Sequence, residues 1–295
     1  MTLELLHEPK MADLTSLGIG GTARALAKVR DEAGLDELSI FHKKEAAGLI
    51  AIGEGSNMLA GDGKLNYAFV NMDLANKVEP EIAEDDAQDI TVKVSADTRL
   101  PGLLAFLIRN GLSGMEGLAG IPGSVGGSIA MNAGSYGTDI ATTITRARLW
   151  TPSKGLFWKN ADEMDFGYRH FSAGTDEFTL VWEAEFKFSK STENEVKKNV
   201  QAVFAKKKSS QPVLEKTAGC VFKNPEGHSA GKLLDDAGFK GKIIGGMAFS
   251  EIHANFLVNK GNGTGAEALE LLGMATEAVL KKFGVTLESE VIILQ

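Results

Sequence analysis

Apolar positions in this chain fall into short runs, and the spacing inside each run predicts its element. Ala25–Val29 and Gly48–Ile52 read as strands flanking Asp31–Ala46, whose acidic start suits a helix N-terminus. Tyr67–Asn71 is a further short strand, and Thr91–Ser95 alternates as one. Residues 78–90 (VEPEIAEDDAQDI) are acidic and are expected to form a solvated turn between strands. Leu100–Asn110 is apolar at helical spacing, with Pro101 near its start and Gly111 just past its end, the asymmetry expected of a helix. From Gly111 to Gly137 glycine recurs too often for any long regular element.

Strand patterns return at Ile144–Thr151 and Phe178–Phe188, separated by an acidic helical turn at Asp162–Tyr168. Thr192–Lys208 reads as an amphipathic helix opened by a Thr192/Glu195 capping box, and its Lys206-Lys207-Lys208 end is expected to be solvated. Beyond Pro212 the pattern predicts strand Cys220–Lys223, helix Ala230–Ala237, and strands near Lys242–Ile244 and Phe256–Asn259. A last helix, Gly265–Phe283, has a Thr264/Glu267 capping box and Gly284 as its stop; strand Thr286–Leu294 follows. Terminal strands dock into sheets, so the C-terminus is expected to return to the N-terminal domain.

Composition narrows the class. The 295 residues are 43% apolar and 24% charged, enough to bury the cores of two ordinary domains or three small ones. No apolar run approaches the roughly 20 residues of a membrane span, and MTLELLHEPK lacks the basic start of a signal peptide. The single cysteine, Cys220, excludes an internal disulfide and a cysteine metal cluster, which fits a cytoplasmic protein. His228 and His253 have no metal-ligand spacing, so no metal is expected. A net charge of −8 argues against nucleic acid as a partner, and means that an anionic ligand would have to be held by local cations or backbone N–H groups.

The 34 glycines cluster at three places, and the clusters differ in meaning. Gly18-Ile19-Gly20-Gly21-Thr22-Ala23 is a loose relative of a dinucleotide fingerprint, but no strand precedes it and no helix follows, so it reads as a turn into a strand. Gly53-Glu54-Gly55-Ser56-Asn57 leaves a strand directly, and can aim successive N–H groups and two polar side chains at a pyrophosphate. Gly120-Ile121-Pro122-Gly123-Ser124-Val125-Gly126-Gly127, followed by Asn132-Ala133-Gly134, is more specific. Interspersed Ile121, Val125, Ile129 and Met131 call for burial rather than a flexible linker, and the glycines suit close backbone approach to a flat or phosphorylated ligand.

These two loops together resemble the UDP-N-acetylenolpyruvoylglucosamine reductase family. So do Gly167-Tyr168-Arg169-His170, the segment from Ala218 to Pro225 (AGCVFKNP), Ala230-Gly231-Lys232-Leu233, His253-Ala254-Asn255-Phe256 and the terminal Leu287-Glu288-Ser289-Glu290-Val291. The matching segments run in order along nearly the whole chain. The resemblance implies an α+β chain with a FAD-binding fold of the vanillyl-alcohol-oxidase type. Two α+β subdomains (1–70 with 284–295, and 71–189) would surround FAD, and a third α+β domain (190–283) would bind substrate. It implies a NADPH-dependent oxidoreductase that reduces the C=C bond of UDP-N-acetylglucosamine enolpyruvate, with hydride passing from flavin N5; a monomer is expected. It also implies a cofactor set of Gly53, Gly55, Ser56, Asn57, Met58, Gly120, Ile121, Pro122, Gly123, Ser124, Gly126, Gly127, Asn132, Ala133 and Gly134. FAD would be held non-covalently.

Hydride arriving at an enol carbon leaves charge on the next carbon and its carboxylate, which calls for a fixed positive group and a positioned acid. By resemblance Arg169 stabilises that charge, with Glu290 rather than Glu288 as partner acid. Cys220 stands where the family has a serine proton donor, and a thiol, with an ordinary pKa of about 8.5, is the stronger acid of the two. Tyr168, Lys223 and Asn224 match substrate-contacting positions, and Lys232, at a helix start, could hold the diphosphate. Gly18 stands where an arginine is expected, and Phe171 where serine usually follows. An oxidase of the same flavoprotein superfamily is the rival reading. No histidine for covalent flavin attachment lies near Gly53–Asn57, and the YRH, GCVFKNP and LESEV segments argue against it.

Overall fold

The structure is a computed structural model that describes residues 2–45, 48–76 and 78–295. The chain divides into two compact units. The first comprises Met1–Leu6, Leu26–Gly53 and Ala68–Lys206, and the second His7–Ala25, Glu54–Tyr67 and Lys207–Gln295.

The first unit is organised by an antiparallel sheet in the order Gly155–Asn160, Ile144–Thr151, Leu180–Lys190, Asp89–Ser95, Glu81–Asp85, with Leu112–Ser113 pairing the far end of Leu180–Lys190. Alternation puts Val92, Val94, Ala184, Phe186 and Phe188 on one face. The helix Leu100–Arg109 turns Leu100, Leu103, Leu104 and Leu107 into the same core, together with Val125 and Ile129. A second cluster joins Ala27 and Val29 with Leu35 and Leu38 of the helix Gly34–Lys44 and with Trp150 and Trp182. That helix was expected from Asp31. It begins at Gly34 because the Asp31 carboxylate accepts from the Gly34 N–H at 3.0 Å and ends the preceding turn. Its expected end, Ala46, lies outside the described residues.

In the second unit an antiparallel sheet runs in the order Lys216–Cys220, Phe256–Asn259, Met247–Phe249, Ile243–Ile244. The helix Gly265–Phe283 supplies Ala268, Leu271, Leu272, Ala275 and Val279, a stripe at helical spacing, to the core it shares with Phe249 and Leu257. Both halves of its capping box form, and Gly284 closes it at φ +69°. The chain ends in Ile292–Leu294, parallel to Met58–Ala60. Gly20 and Gly21 are explained by close packing. A Cβ on Gly21 would lie 1.7 Å from the Gly63 carbonyl oxygen, and one on Gly20 would lie 2.5 Å from Ala60 Cβ.

Several expectations change. Residues 81–85, read as part of a solvated turn, form an edge strand. Its five side chains are exposed, so sequence polarity hides it, while its backbone pairs with Asp89–Ser95 and Glu81 and Asp85 meet Lys93 and Lys190, each at 2.6 Å. Of the expected helical turn only Asp162 and Glu163 are helical, in the short turn Ala161–Glu163. Asp165–Gly167 pairs with His170–Ser172 as a hairpin. Cys220 ends a strand rather than starting one, because the ladder slips between Thr217 and Cys220 around Gly219 at φ +80°. The C-terminal strand begins at Ile292, six residues later than expected, since residues before it bond irregularly to the 221–223 segment. Lys207, read as solvated, is 2% exposed: it continues the helix stripe Val196, Val200, Val203. Met247–Phe249, a strand too short to read from periodicity, was not anticipated.

Candidate active site

In the first unit Gly53, the first residue of one glycine loop, meets Ser124 of the other. A Cβ on Gly53 would lie 2.5 Å from Ser124 Oγ, so Gly53 must be glycine for the approach to exist. Asn71 Nδ2 donates to the Ile52 carbonyl at 2.7 Å and fixes the strand end from which Gly53 leaves. Ser124 is the N-cap of the short helix Val125–Ala130, its Oγ accepting from Gly127 N. Residues 123–126 lie along the turn 96–100: Val125 N donates to Thr98 O, Gly126 N to Ala96 O, and Leu100 N to Gly123 O, at 2.8–2.9 Å. Gly126 is thus required by packing, with a Cβ falling 2.9 Å from Ala96 Cβ. Gly120 and Gly123 adopt φ of +78° and +122°, turning consecutive peptide groups as side-chain-bearing residues rarely do.

The same unit holds Arg169 in a two-residue turn between Gly167 and His170, at φ +53°. Its Nη2 donates to the Gly134 carbonyl at 2.8 Å, and its guanidinium lies 5.2 Å from the centre of the Tyr168 ring. Asn132, 4% exposed and at φ +42°, donates from Nδ2 to Gly167 O at 2.9 Å and accepts from Ala141 N at Oδ1 at 3.0 Å. The turn 132–134, read from the sequence as part of a cofactor loop, thereby also carries the hairpin that presents Arg169. Ala133 is buried and accepts from Ile140 N.

Cys220 and Glu290 lie in the second unit, close along the backbone. Glu290 N donates to Val221 O at 2.8 Å, Phe222 bridges Ser289, and Lys223 N donates to Glu288 O at 2.9 Å. Asn57 joins them, its Nδ2 donating to the Glu290 carbonyl at 3.1 Å while its own carbonyl accepts from Ile292 N. Met58 is buried in the strand paired with Ile292. Gly55, at φ +60°, lies so near Leu14 that a Cβ would reach 2.0 Å from its carbonyl oxygen. Cys220 is partly exposed. Asn224 Oδ1 accepts from Ala230 N at 2.9 Å and so opens the helix Ala230–Asp236. Lys223 pairs with the Glu288 carboxylate, and Lys232 with Asp236 at 3.0 Å.

Sequence reasoning passed over Asn255. Buried at 3% exposure, it accepts from Phe222 N at Oδ1 (3.1 Å), donates from Nδ2 to Phe222 O (2.8 Å), and takes Val221 N on its own carbonyl (2.9 Å). It fastens the segment that carries Cys220. Nearby, burial holds the His253 imidazole below its ordinary 6.5, with Lys240 acting in the same direction. Among the described residues no group of three acidic, histidine or cysteine side chains could hold a metal, and no helix is long and apolar enough to cross a membrane.

Comparison with known proteins agrees with this geometry. Residues 23–158 match the FAD binding domain family, and 211–294 match the family "UDP-N-acetylenolpyruvoylglucosamine reductase, C-terminal domain". The chain therefore has the fold of an FAD-binding oxidoreductase, and the neutral backbone N–H groups turned by the positive-φ glycines Gly120 and Gly123 suit a pyrophosphate. The UDP-N-acetylenolpyruvoylglucosamine reductases of Nitratidesulfovibrio vulgaris and Oleidesulfovibrio alaskensis are 44% and 42% identical to it. They align over 99% and 97% of both chains respectively. A crystal structure of the Thermus caldophilus reductase superposes with a TM-score of 0.81 at 29% identity, covering 99% of each chain. The chain belongs to the UDP-N-acetylenolpyruvoylglucosamine reductase family.

Proposed function

We propose that this protein is a cytoplasmic, monomeric, NADPH-dependent reductase of UDP-N-acetylglucosamine enolpyruvate, producing UDP-N-acetylmuramate for peptidoglycan precursors. The observation that carries the site assignment is the bond from Glu290 N to Val221 O, which ties the carboxylate-bearing segment to the residue beside the thiol. FAD, when bound, supplies the hydride, taken from NADPH, that reaches the enol carbon.

The chain's own residues meet the consequences. Arg169 offers a planar cation to the carboxylate as charge spreads into it. Cys220 delivers the proton to the adjacent carbon from its Sγ, and Glu290 acts as partner acid beside the same carboxylate. Tyr168, Lys223, Asn224 and Lys232 bind the sugar nucleotide. Engagement of Lys223 by Glu288 and of Lys232 by Asp236 means that each cation exchanges a carboxylate for the ligand on binding. FAD would be held by Gly53, Gly55, Ser56, Asn57 and Met58, by 120–127, and by the 132–134 backbone. The three-domain division, two parts for flavin and one for substrate, belongs to the same reading.

The test is the visible spectrum of the purified protein without oxygen, with NADPH added first and the enolpyruvyl ether second. The flavin band is expected to bleach and then return. In Cys220→Ala the return is expected to slow by about 10²-fold or more, the usual worth of a positioned acid, and Cys220→Ser restores part of it. A colourless protein that FAD does not reconstitute overturns the reading. Full turnover by Cys220→Ala overturns the assignment of the proton donor.

A further inference from the structure

Asn132, Tyr136 and Arg169 are three of the five non-glycine residues with positive φ among the described residues; Tyr136 and Arg169 lie in the turns of the hairpins 134–139 and 165–172, and Asn132 stands two residues before the first. Backbone held in this region is costly, and it persists only where the surroundings over-determine it. For the turn that carries Arg169, one buried amide is part of those surroundings. Asn132 uses both ends of its side chain, Nδ2 on Gly167 O and Oδ1 on Ala141 N, and it is 4% exposed. Gly167 is the residue before the Tyr168-Arg169 turn. Two residues past Asn132, the Gly134 carbonyl takes the Arg169 guanidinium at 2.8 Å.

We infer that Asn132 is a positioning residue for Arg169: through Gly167 it fixes the base of the hairpin, and through the turn it opens it aims the Gly134 carbonyl that holds the guanidinium. The inference rests on the proposed role of Arg169, and it gives the Asn132 side chain a task distinct from holding flavin. Residue type follows from the geometry. Asparagine tolerates positive φ, and its short amide offers a donor and an acceptor together. Aspartate lacks the donor for Gly167, and glutamine would carry the amide a methylene too far. A charged group in the transition state must sit within a fraction of an ångström of its place, and a misplacement of about 1 Å can cost about 10²-fold. The clamp therefore serves the step in which Arg169 meets charge, not the step in which NADPH is consumed.

The test uses the FAD-loaded protein and two variants. Asn132→Gly keeps the positive φ and removes the amide; Asn132→Asp keeps the acceptor for Ala141 N and removes the donor to Gly167 O. Stopped-flow absorbance follows flavin bleaching by NADPH and its return with the enolpyruvyl ether as separate rates. Both variants are expected to slow the return at least tenfold more than the bleaching. In an Arg169→Ala background Asn132→Gly is expected to slow the return less than twofold further, because the residue it positions is gone. Equal slowing of both rates, or full additivity with Arg169→Ala, overturns the inference. So does loss of FAD from both variants, which would make the amide part of the flavin fold itself. If Arg169→Ala alone leaves the return rate unchanged, it is the role proposed for Arg169 that falls, and the two failures are thereby told apart.

Discussion

Truncating Asn255 to alanine tests how the Cys220 segment is held. The side chain mimics a strand neighbour, donating to Phe222 O and accepting from Phe222 N, and both residues are 3% exposed. Alanine removes both bonds and leaves a buried N–H and a buried C=O without that partner, while the Val221 N bond to the residue 255 carbonyl remains. Each orphaned group costs about 1–3 kcal/mol. Taking the lower half of that range for two adjacent groups gives a loss of about 3 kcal/mol. For a unit of this size roughly 3–4 °C accompanies each kcal/mol, so the transition of the second unit is expected to fall by about 10 °C. Scanning calorimetry of the FAD-loaded protein reads this directly. Asn255→Asp, which sets a second acceptor against Phe222 O, is expected to fall at least as far. A fall under about 2 °C in both variants would refute the reasoning, since the Phe222 groups would then be satisfied without the amide.

Two further outcomes follow from the packing and the titration. Gly21→Ala drives a Cβ into the Gly63 backbone and is expected to cost about 3 kcal/mol in urea unfolding, while Gly48→Ala, with no atom within 4 Å, changes stability by less than about 0.5 kcal/mol. His253 has its folded pKa below the ordinary 6.5, so its contribution to stability is complete above that value and is lost as pH falls through 6.5 toward the folded pKa. Unfolding midpoints between pH 8 and pH 5 are therefore expected to drop more steeply in the wild type than in His253→Gln. Parallel slopes would contradict the assignment.

Where signals are local, the sequence by itself determined the structure. The helix Gly265–Phe283 has the limits its capping box and Gly284 announce, because both are satisfied within one turn of the helix end. Ile144–Thr151 and Phe256–Asn259 also form over the residues their apolar patterns mark. Motif order along the chain likewise sufficed to identify the family, since its glycine loops and the segments around Arg169, Cys220 and Glu290 are contiguous stretches.

Tertiary structure alone decided the rest, because it depends on partners distant in the chain. The edge strand Glu81–Asp85 exists through backbone pairing, to which its acidic side chains are indifferent. Asn132 and Asn255 acquire their tasks from carbonyls 35 and 33 residues away, and no spacing rule links an amide to a backbone group at such separations. In sequence only the family resemblance tells Glu290 from Glu288. The fold sends the first to Lys223 and ties the amide of the second to Val221. Buried polar groups must find hydrogen-bond partners, and which partners they find is settled only when distant segments are brought together.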